Sequence, residues 1–341
     1  APAVSELSVR LAEGTVDECR VRLHSQQVSV KSILLNRGGY SYLTGPAVPG
    51  KEQQEAAPAP GGSTPSLPWT VRVGSVVLTG NRAEYGLLNH RPAAGFDPSF
   101  IALSTLDLAV DSIYNRGADI ALQIRRMAFT ERSGLTVSDM TGDIGMDASG
   151  ISLAGVTLKT PFSRIEANIS AGEGILALAP DSPLKAALTA DVNTKDLKYL
   201  YPALIPPVLD GRIVSLALTA AGTLGDIGKA GLDISSPGHV AFTADGAARN
   251  VLDPGRMEAS ARFEGDFRDM AFLEALLPDS ALRLRIAIPD RIRLRGTAGA
   301  DKGAFSAAST LSADGGEIAL QGRLDTRSEA YGIELRCDSF P

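Results

Sequence analysis

The chain has 341 residues, a net charge of −6, 44% hydrophobic residues and only 5% aromatic residues. That is enough apolar material to bury a large surface, but it offers few rings for base stacking, and the acidic balance opposes a phosphate-tracking surface, so nucleic acid is excluded as a partner. The length suits two ordinary domains or one long β unit.

In chain order, the sequence begins APAVSELSV, with no apolar signal core and no run long enough to span a bilayer. It closes on the strand-like YGIELRCDSFP, and both ends read as cut from a longer protein. In CRVRLH, Cys19, Val21 and Leu23 point one way while Arg20, Arg22 and His24 point the other. Residues 46–68, PAVPGKEQQEAAPAPGGSTPSLP with the preceding proline included, have no apolar period and read as a flexible surface loop between neighbouring strands. ADIALQIR alternates again, with Ile120, Leu122 and Ile124 on one face. GLTVSDMTGDIGMDASGISLAGVTLKT divides into three strands joined by Gly-Asp and Ser-Gly turns, so the carboxylates that follow Glu131-Arg132-Ser133-Gly134 are expected to cap turns and carry no chemistry.

Two segments read as short helices. TKDLKYLYPALIPP has Thr194 or Asp196 as a cap, Leu197, Leu200 and Leu204 on one face, and Pro206 and Pro207 as the stop. FRDMAFLEALLPD has Asp269 as cap, Met270, Leu273 and Leu277 on one face, and Pro278 as the stop. Each is followed by alternating sequence and a Gly-Thr pair, Gly222-Thr223 and Gly296-Thr297, so a unit of helix, strand and Gly-Thr turn occurs twice. The alternation is plainest in RIVSLALT, with Val214, Leu216 and Leu218, and in ALRLRIAIPDRIRLRG. There Leu282, Leu284, Ile286, Ile288, Ile292 and Leu294 oppose Arg283, Arg285, Arg291, Arg293 and Arg295. A period of two with one apolar and one charged face describes antiparallel strands wet on one side. About twenty such strands at roughly 4.8 Å each would extend about 100 Å.

Chemistry is sought without result. GTLGDIGKAG has the wrong glycine spacing for a phosphate loop, and Ala230 stands where a hydroxyl should hold magnesium. His24, His90 and His239 are isolated from one another, and Cys19 and Cys337 form no metal pair or disulfide framework. Both cysteines alternate in phase with apolar neighbours and are expected as buried free thiols. No catalytic, metal or cofactor residue is assigned, and an enzyme is not expected. The apolar face itself remains. Unless a second sheet fills it, it must meet a lipid, a peptide or a protein partner.

Three stretches carry a family resemblance: LPWTVRVGSVVLTGNRAEY, FDPSFIALSTLDLAVDSIYNRGADIALQIRRMAFTERSGLTVSDMTGDI and GISLAGVTLKTPFSRIEANI. With Pro68-Trp69, Phe96-Asp97-Pro98, Glu131 to Gly134 and Lys159-Thr160-Pro161 as signposts, residues 67–170 resemble the TamB translocation and assembly module proteins of Bacteroidetes-type Gram-negative bacteria, which belong with the AsmA-like family. The helix-plus-strand units after 190 resemble AsmA-type repeats more loosely. The resemblance implies an all-β fold, an elongated, curled antiparallel sheet or β-taco with an apolar inner face and a few short helices. It divides the chain into groove strands at 1–45, the loop at 46–68, groove strands at 69–190 and AsmA-like repeats at 191–341. It further implies a periplasmic portion of an inner-membrane-anchored protein that carries phospholipid toward the outer membrane, with phospholipid acyl chains as its partners. The alternative is a scaffold for assembly or secretion of outer-membrane proteins, with an outer-membrane barrel protein as partner and β-augmentation as the mode of capture. The groove-lining residues expected to contact lipid are the alternating apolar positions named above, whereas the scaffold would work through exposed strand edges.

Overall fold

The computed structural model describes residues 3–46, 69–172, 179–202, 210–269, 289–313 and 315–338. The fold is all-β, and α1 is the sole helix among the described residues. The chain divides into two units. The first comprises residues up to Ala148 together with Gly155–Pro161 and Lys198–Pro202, and the second comprises the remainder.

The first unit is a mixed sheet. Strands β1 (Ala3–Arg10), β2 (Glu13–Asp17) and β3 (Arg20–Arg22) run antiparallel to β4 (Gln27–Asn36) and β5 (Gly39–Pro46). β4 and β5 in turn lie end to end along one long strand, β6 (Thr70–Leu87), and both pair with it in parallel. Parallel neighbours cannot be joined by a tight turn and need a crossover of a dozen or more residues. The Pro/Ala/Gly-rich stretch falls in the connection between β5 and β6; residues 47–68 lie outside the described residues. The purely antiparallel sheet expected from the alternation is thus corrected at these two pairings. β7 (Phe100–Arg116), β8 (Asp119–Glu131) and β9 (Thr136–Asp147) continue antiparallel.

Where β4 hands over to β5, the ladder along β6 breaks, and Asn81 repairs it. Its side chain is fully buried. Its Oδ1 accepts from Gly38 N at 2.7 Å and its Nδ2 donates to Leu35 O at 3.0 Å. On either side, Arg37 N donates to Thr79 O and Arg82 N to Gly38 O, both at 2.9 Å. A buried amide that satisfies both a donor and an acceptor is what a strand-to-strand gap requires. Gly38 has no room for a side chain there, because a Cβ would sit 2.7 Å from Asn81 Oδ1.

The second unit begins at Ser149, takes the first half of β10 (Gly150–Lys159), and continues as an antiparallel ladder. Its strands are β11 (Arg164–Gly172), β12 (Pro183–Asn193), β13 (Ile213–Thr223), β14 (Ile227–Ser236), β15 (Val240–Arg249), β16 (Glu258–Arg268), β17 (Arg291–Asp301), β18 (Ala304–Ala313), β19 (Gly316–Asp325) and β20 (Ala330–Asp338). From β11 to β20 each strand pairs with the next.

Helix α1 (Thr194–Leu200) follows β12. Asn193 caps it, its Oδ1 accepting from Lys195 N at 2.9 Å. The two expected cap residues are buried and hold neighbouring segments instead: Thr194 Oγ1 accepts from Arg212 N at 3.1 Å, and Asp196 accepts from Ser163 Oγ at 2.5 Å. The second expected helix, with residues 270–288, and with it Leu282, Leu284, Ile286 and Ile288, lies outside the described residues. The repeated Gly-Thr turn holds only once. Thr223 N closes a turn on Asp226 O at 2.8 Å, whereas Gly296-Thr297 lies inside β17. Gly296 is there because the Phe263 ring covers it: a Cβ would come within 2.4 Å of Phe263 Cζ.

Candidate functional site

The stretch Glu131-Arg132-Ser133-Gly134 is structural. Gly134, at φ 98°, donates to Glu131 O at 2.8 Å, and Ser133 N donates to Glu131 Oε2 at 2.6 Å, so the carboxylate closes its own turn. Arg132 then clamps the loop before β7, donating from Nη2 to Ala93 O at 2.9 Å and to Gly95 O at 2.8 Å. Asp97 fixes the same loop. It accepts from Ala93 N at 2.8 Å and Ser99 N at 2.9 Å, and pairs with His90 Nε2 at 2.7 Å. The hydrogen bond from His90, followed by the one from the Ala93 amide, pulls its carboxyl down from 3.8 to about 2. Apart from the His90–Asp97 pair these contacts hold backbone, and Glu131 Oε1 is left buried without a hydrogen-bond partner among the described residues. Among the described residues no group of His, Cys, Asp and Glu is disposed to hold a metal ion.

The alternating faces are the more informative feature, because strand pairing turns each alternation into rows that run across the sheet. In the first unit, Val21, Val28, Val71, Asn115, Ile120 and Met146 form one row. Val16, Ile33, Val76, Val110, Ile124 and Gly142 form another. Leu122 stands opposite Ile144. The expected lining residues Val21, Ile120, Leu122 and Ile124 therefore share a face. Cys19 and Leu23 do not belong to a strand. Cys19 sits between β2 and β3 and Leu23 in the turn after β3, and both are exposed.

In the second unit one face can be followed from β11 to β20, with register shifts only near Gly222 and Ile227. One row reads Ile165, Ala190, Leu216, Ile234, Phe242, Gly265, Leu294, Leu311, Ile318 and Cys337. The expected residues Leu216 and Leu294, on strands far apart in sequence, thus lie in one line. Leu218 stands in the next row, opposite Leu188 and Leu232; Val214 pairs with Val192, and Ile292 with Phe267 and Ala313, on the same face.

Between the rows of large side chains runs a row no sequence reading singled out: Ala186, Ala220, Ala230, Gly246, Ala261, Ala298, Ala307 and Gly322. Eight successive strands place nothing larger than a methyl group there, so the row forms a lane across the strands, roughly 34 Å long at about 4.8 Å per step. Leu188, Leu218, Leu232, Phe263 and Leu320 form one bank, interrupted by Ala244, Gly296 and Ser309. Leu184, Ile227, Phe305 and Leu324 stand on the other side, toward its ends, in a row that also holds Gly222, Ala248, Ala259 and Ala300. The lane opens into a hollow of about 500 Å3, lined by Ala220, Ala230, Ala261 and Ala298 at its floor and by Leu218, Ile227, Met257 and Phe305 at its sides. Phe242 and Phe263 stack at 6.3 Å, and Phe263 lies over Gly296, which holds that bank in place.

The opposite face of the same strands is charged. Asp266 accepts from Arg291 Nε at 2.9 Å and from Arg268 Nη2 at 2.8 Å, and these two guanidinium hydrogen bonds, that of Arg291 first, hold its carboxyl far below the ordinary range. Lys302 meets Glu258 at 3.0 Å, and Arg295 meets Glu264 at 3.8 Å. This face carries a larger groove of about 760 Å3, but Asp245, Arg262, Gln321 and Arg323 line it, and water serves such groups well.

What distinguishes the apolar face is its lack of cover. Among the described residues of the second unit, the buried hydrophobic side chains are those of Ala190 and Ala313, while Leu218, Leu320 and Leu324 are exposed. Cys337, expected to be buried, is exposed on this face too, because β20 has no described strand beyond it. Comparison with family models, with curated proteins and with solved structures returns no match.

Proposed function

We propose that this chain handles phospholipid, with an acyl chain lying along the small-residue lane of the second unit and sliding across its strands. The observation that supports this reading is the lane itself: Ala and Gly in one row on eight successive strands, with Leu, Ile and Phe side chains along parts of both sides, on a face that no described element covers. A flat apolar surface would serve a protein partner, but a channel of methyl-group depth with aliphatic walls suits a flexible hydrocarbon chain, and each methylene that leaves water contributes about 0.8 kcal/mol. Asp266, Arg291 and their neighbours keep the other face in water. In line with its resemblance to the TamB proteins, the chain serves as a segment of a periplasmic bridge between inner and outer membranes. It acts as a conduit and not as an enzyme.

A pair of adjacent substitutions tests the reading. Ala298 and Thr297 are neighbours on β17 with opposite faces, the first on the lane and the second facing Arg262. Ala298→Glu places an unpaired carboxylate against hydrocarbon and should abolish lipid binding, whereas Thr297→Glu should leave it intact. Equal behaviour of the two in folded protein would overturn the assignment. A second reading, a scaffold that captures outer-membrane strands, draws on the open edge of β1 to β3, where Leu7, Val9 and Val16 are exposed. Crosslinks from that edge to an unfolded barrel strand, with no lipid bound, would favour it.

A further inference from the structure

The groove of about 760 Å3 on the charged face, within β15 to β19, has two arginines among its lining residues, Arg262 and Arg323. Other guanidinium groups of this face are engaged: Arg268 and Arg291 meet Asp266, Arg295 meets Glu264, and Arg336 meets Glu334. Arg262 and Arg323 meet no carboxylate among the described residues, and both are exposed. Asp245, directly opposite Arg262, leaves it unneutralised because it leans the other way, toward β14, where its Oδ1 would stand 3.5 Å from a Cβ placed on Gly231.

Pairing sets the two arginines on opposite walls. Arg262 on β16 faces Thr297 on β17, and Arg323 on β19 faces Ser306 on β18. Three strand steps of about 4.8 Å and one two-residue step of about 7 Å put their Cα atoms about 16 Å apart. Two arginine side chains leaning inward across that distance can grasp a single tetrahedral anion. The floor between them keeps clear of it, with Thr297, Gly299, Ser306 and Ala308 as its side chains. Gly299 is not there for packing or for backbone conformation. A Cβ would stand at ordinary contact distances, 3.4 Å from Ala259 O and 3.5 Å from Ser306 Oγ, and its φ is not left-handed. An unforced glycine inside a strand weakens the strand, and such a residue marks a place where a ligand approaches closely.

Two unpaired guanidinium forks, with the hydroxyls of Thr297 and Ser306 between them, match the donors that a phosphate group accepts. The floor has hydroxyls and no large apolar side chain, so nothing there would hold the hydrocarbon of a lipid. We propose that the groove between Arg262 and Arg323 binds the phosphate of a small soluble phosphomonoester. The site lies on the face opposite the lane and does not rest on the lipid reading.

Calorimetric titration of the whole chain with glycerol 3-phosphate at low ionic strength tests this, with glycerol as the uncharged control. The native chain should bind one glycerol 3-phosphate and no glycerol. Arg262→Gln and Arg323→Gln should each weaken binding about tenfold or more, the loss expected for hydrogen bonds to a charged group. Arg293→Gln removes a charge from the same face outside the groove and should change binding by less than about twofold. Gly299→Val should fill the floor and abolish binding without lowering the denaturant midpoint, which separates an occupied site from misfolding. Absence of binding by the native chain, equal losses from Arg293→Gln and Arg262→Gln, or native affinity in Gly299→Val would each overturn the proposal. Capture of phosphatidic acid vesicles through the same two arginines, with no heat from glycerol 3-phosphate, would overturn the soluble source.

Discussion

Ala298→Leu separates a fitted lane from a merely greasy surface. Ala298 lies at the floor of the hollow, between Ala261 on β16 and Ala307 on β18. An apolar cavity of about 150 Å3 holds one benzene, so the hollow of about 500 Å3 takes roughly eighteen carbons, about one acyl chain. A leucine there displaces about three methylenes of ligand at about 0.8 kcal/mol each, or about 2.4 kcal/mol, which is roughly a fiftyfold loss of affinity. If apolar area alone governed binding, the added leucine would strengthen it. Titration with a fluorescent single-chain lipid reads the difference. The control is Ala308→Leu, opposite Thr297 on the charged face, which should change binding by less than about twofold. Unchanged or tighter binding by folded Ala298→Leu protein would refute the lane.

Three further outcomes follow from the first unit. Asn81→Ala leaves Gly38 N–H and Leu35 C=O without their side-chain partner and should cost about 2–4 kcal/mol, seen as an earlier denaturant midpoint in the fluorescence of Trp69, the only tryptophan; an unchanged midpoint would contradict the splice role. Asp97 has its carboxyl lowered from 3.8 to about 2, so its stabilisation is present above about pH 4 and is lost as the pH falls through about 2. The stability gap between the native chain and Asp97→Asn should therefore be widest above about pH 4 and close toward about pH 2, and a gap independent of pH would contradict it. Cys19, exposed between strands, should react with a polar thiol reagent as fast in the native as in the denatured chain, and strong native protection would contradict that placement.

The alternation was legible because a half-wet strand must place apolar residues at every second position, and Val214, Leu216, Ile292 and Leu294 share one face. Turn chemistry was legible only in part: the Ser-Gly turn falls at Ser149-Gly150 between β9 and β10, whereas Gly142-Asp143, expected as a turn, lies inside β9. The two parallel pairings were not legible. Whether the chain after β5 returns as a hairpin or crosses over depends on which edge β6 meets, and Asn81, the residue that makes the arrangement tolerable, is an ordinary asparagine in the sequence. The lane was hidden for a related reason. Ala186, Ala220 and Ala298 are unremarkable singly, and only register shows that they stand in one row. Phase misled at Cys19 and Cys337, since an apolar phase gives burial only where a neighbouring strand or layer provides it. The cap of α1 was misplaced by one residue, because Asn193 also ends β12 and Thr194 and Asp196 are engaged by Arg212 and Ser163.

The most direct test of the central claim is quantitative mass spectrometry of lipid extracted from the purified native chain beside Ala298→Glu and Thr297→Glu. The account predicts phospholipid at a reproducible ratio to protein in the native chain and in Thr297→Glu, and its loss from Ala298→Glu. Lipid-free native protein that also fails to take up phospholipid from vesicles, or equal lipid in all three, would contradict it.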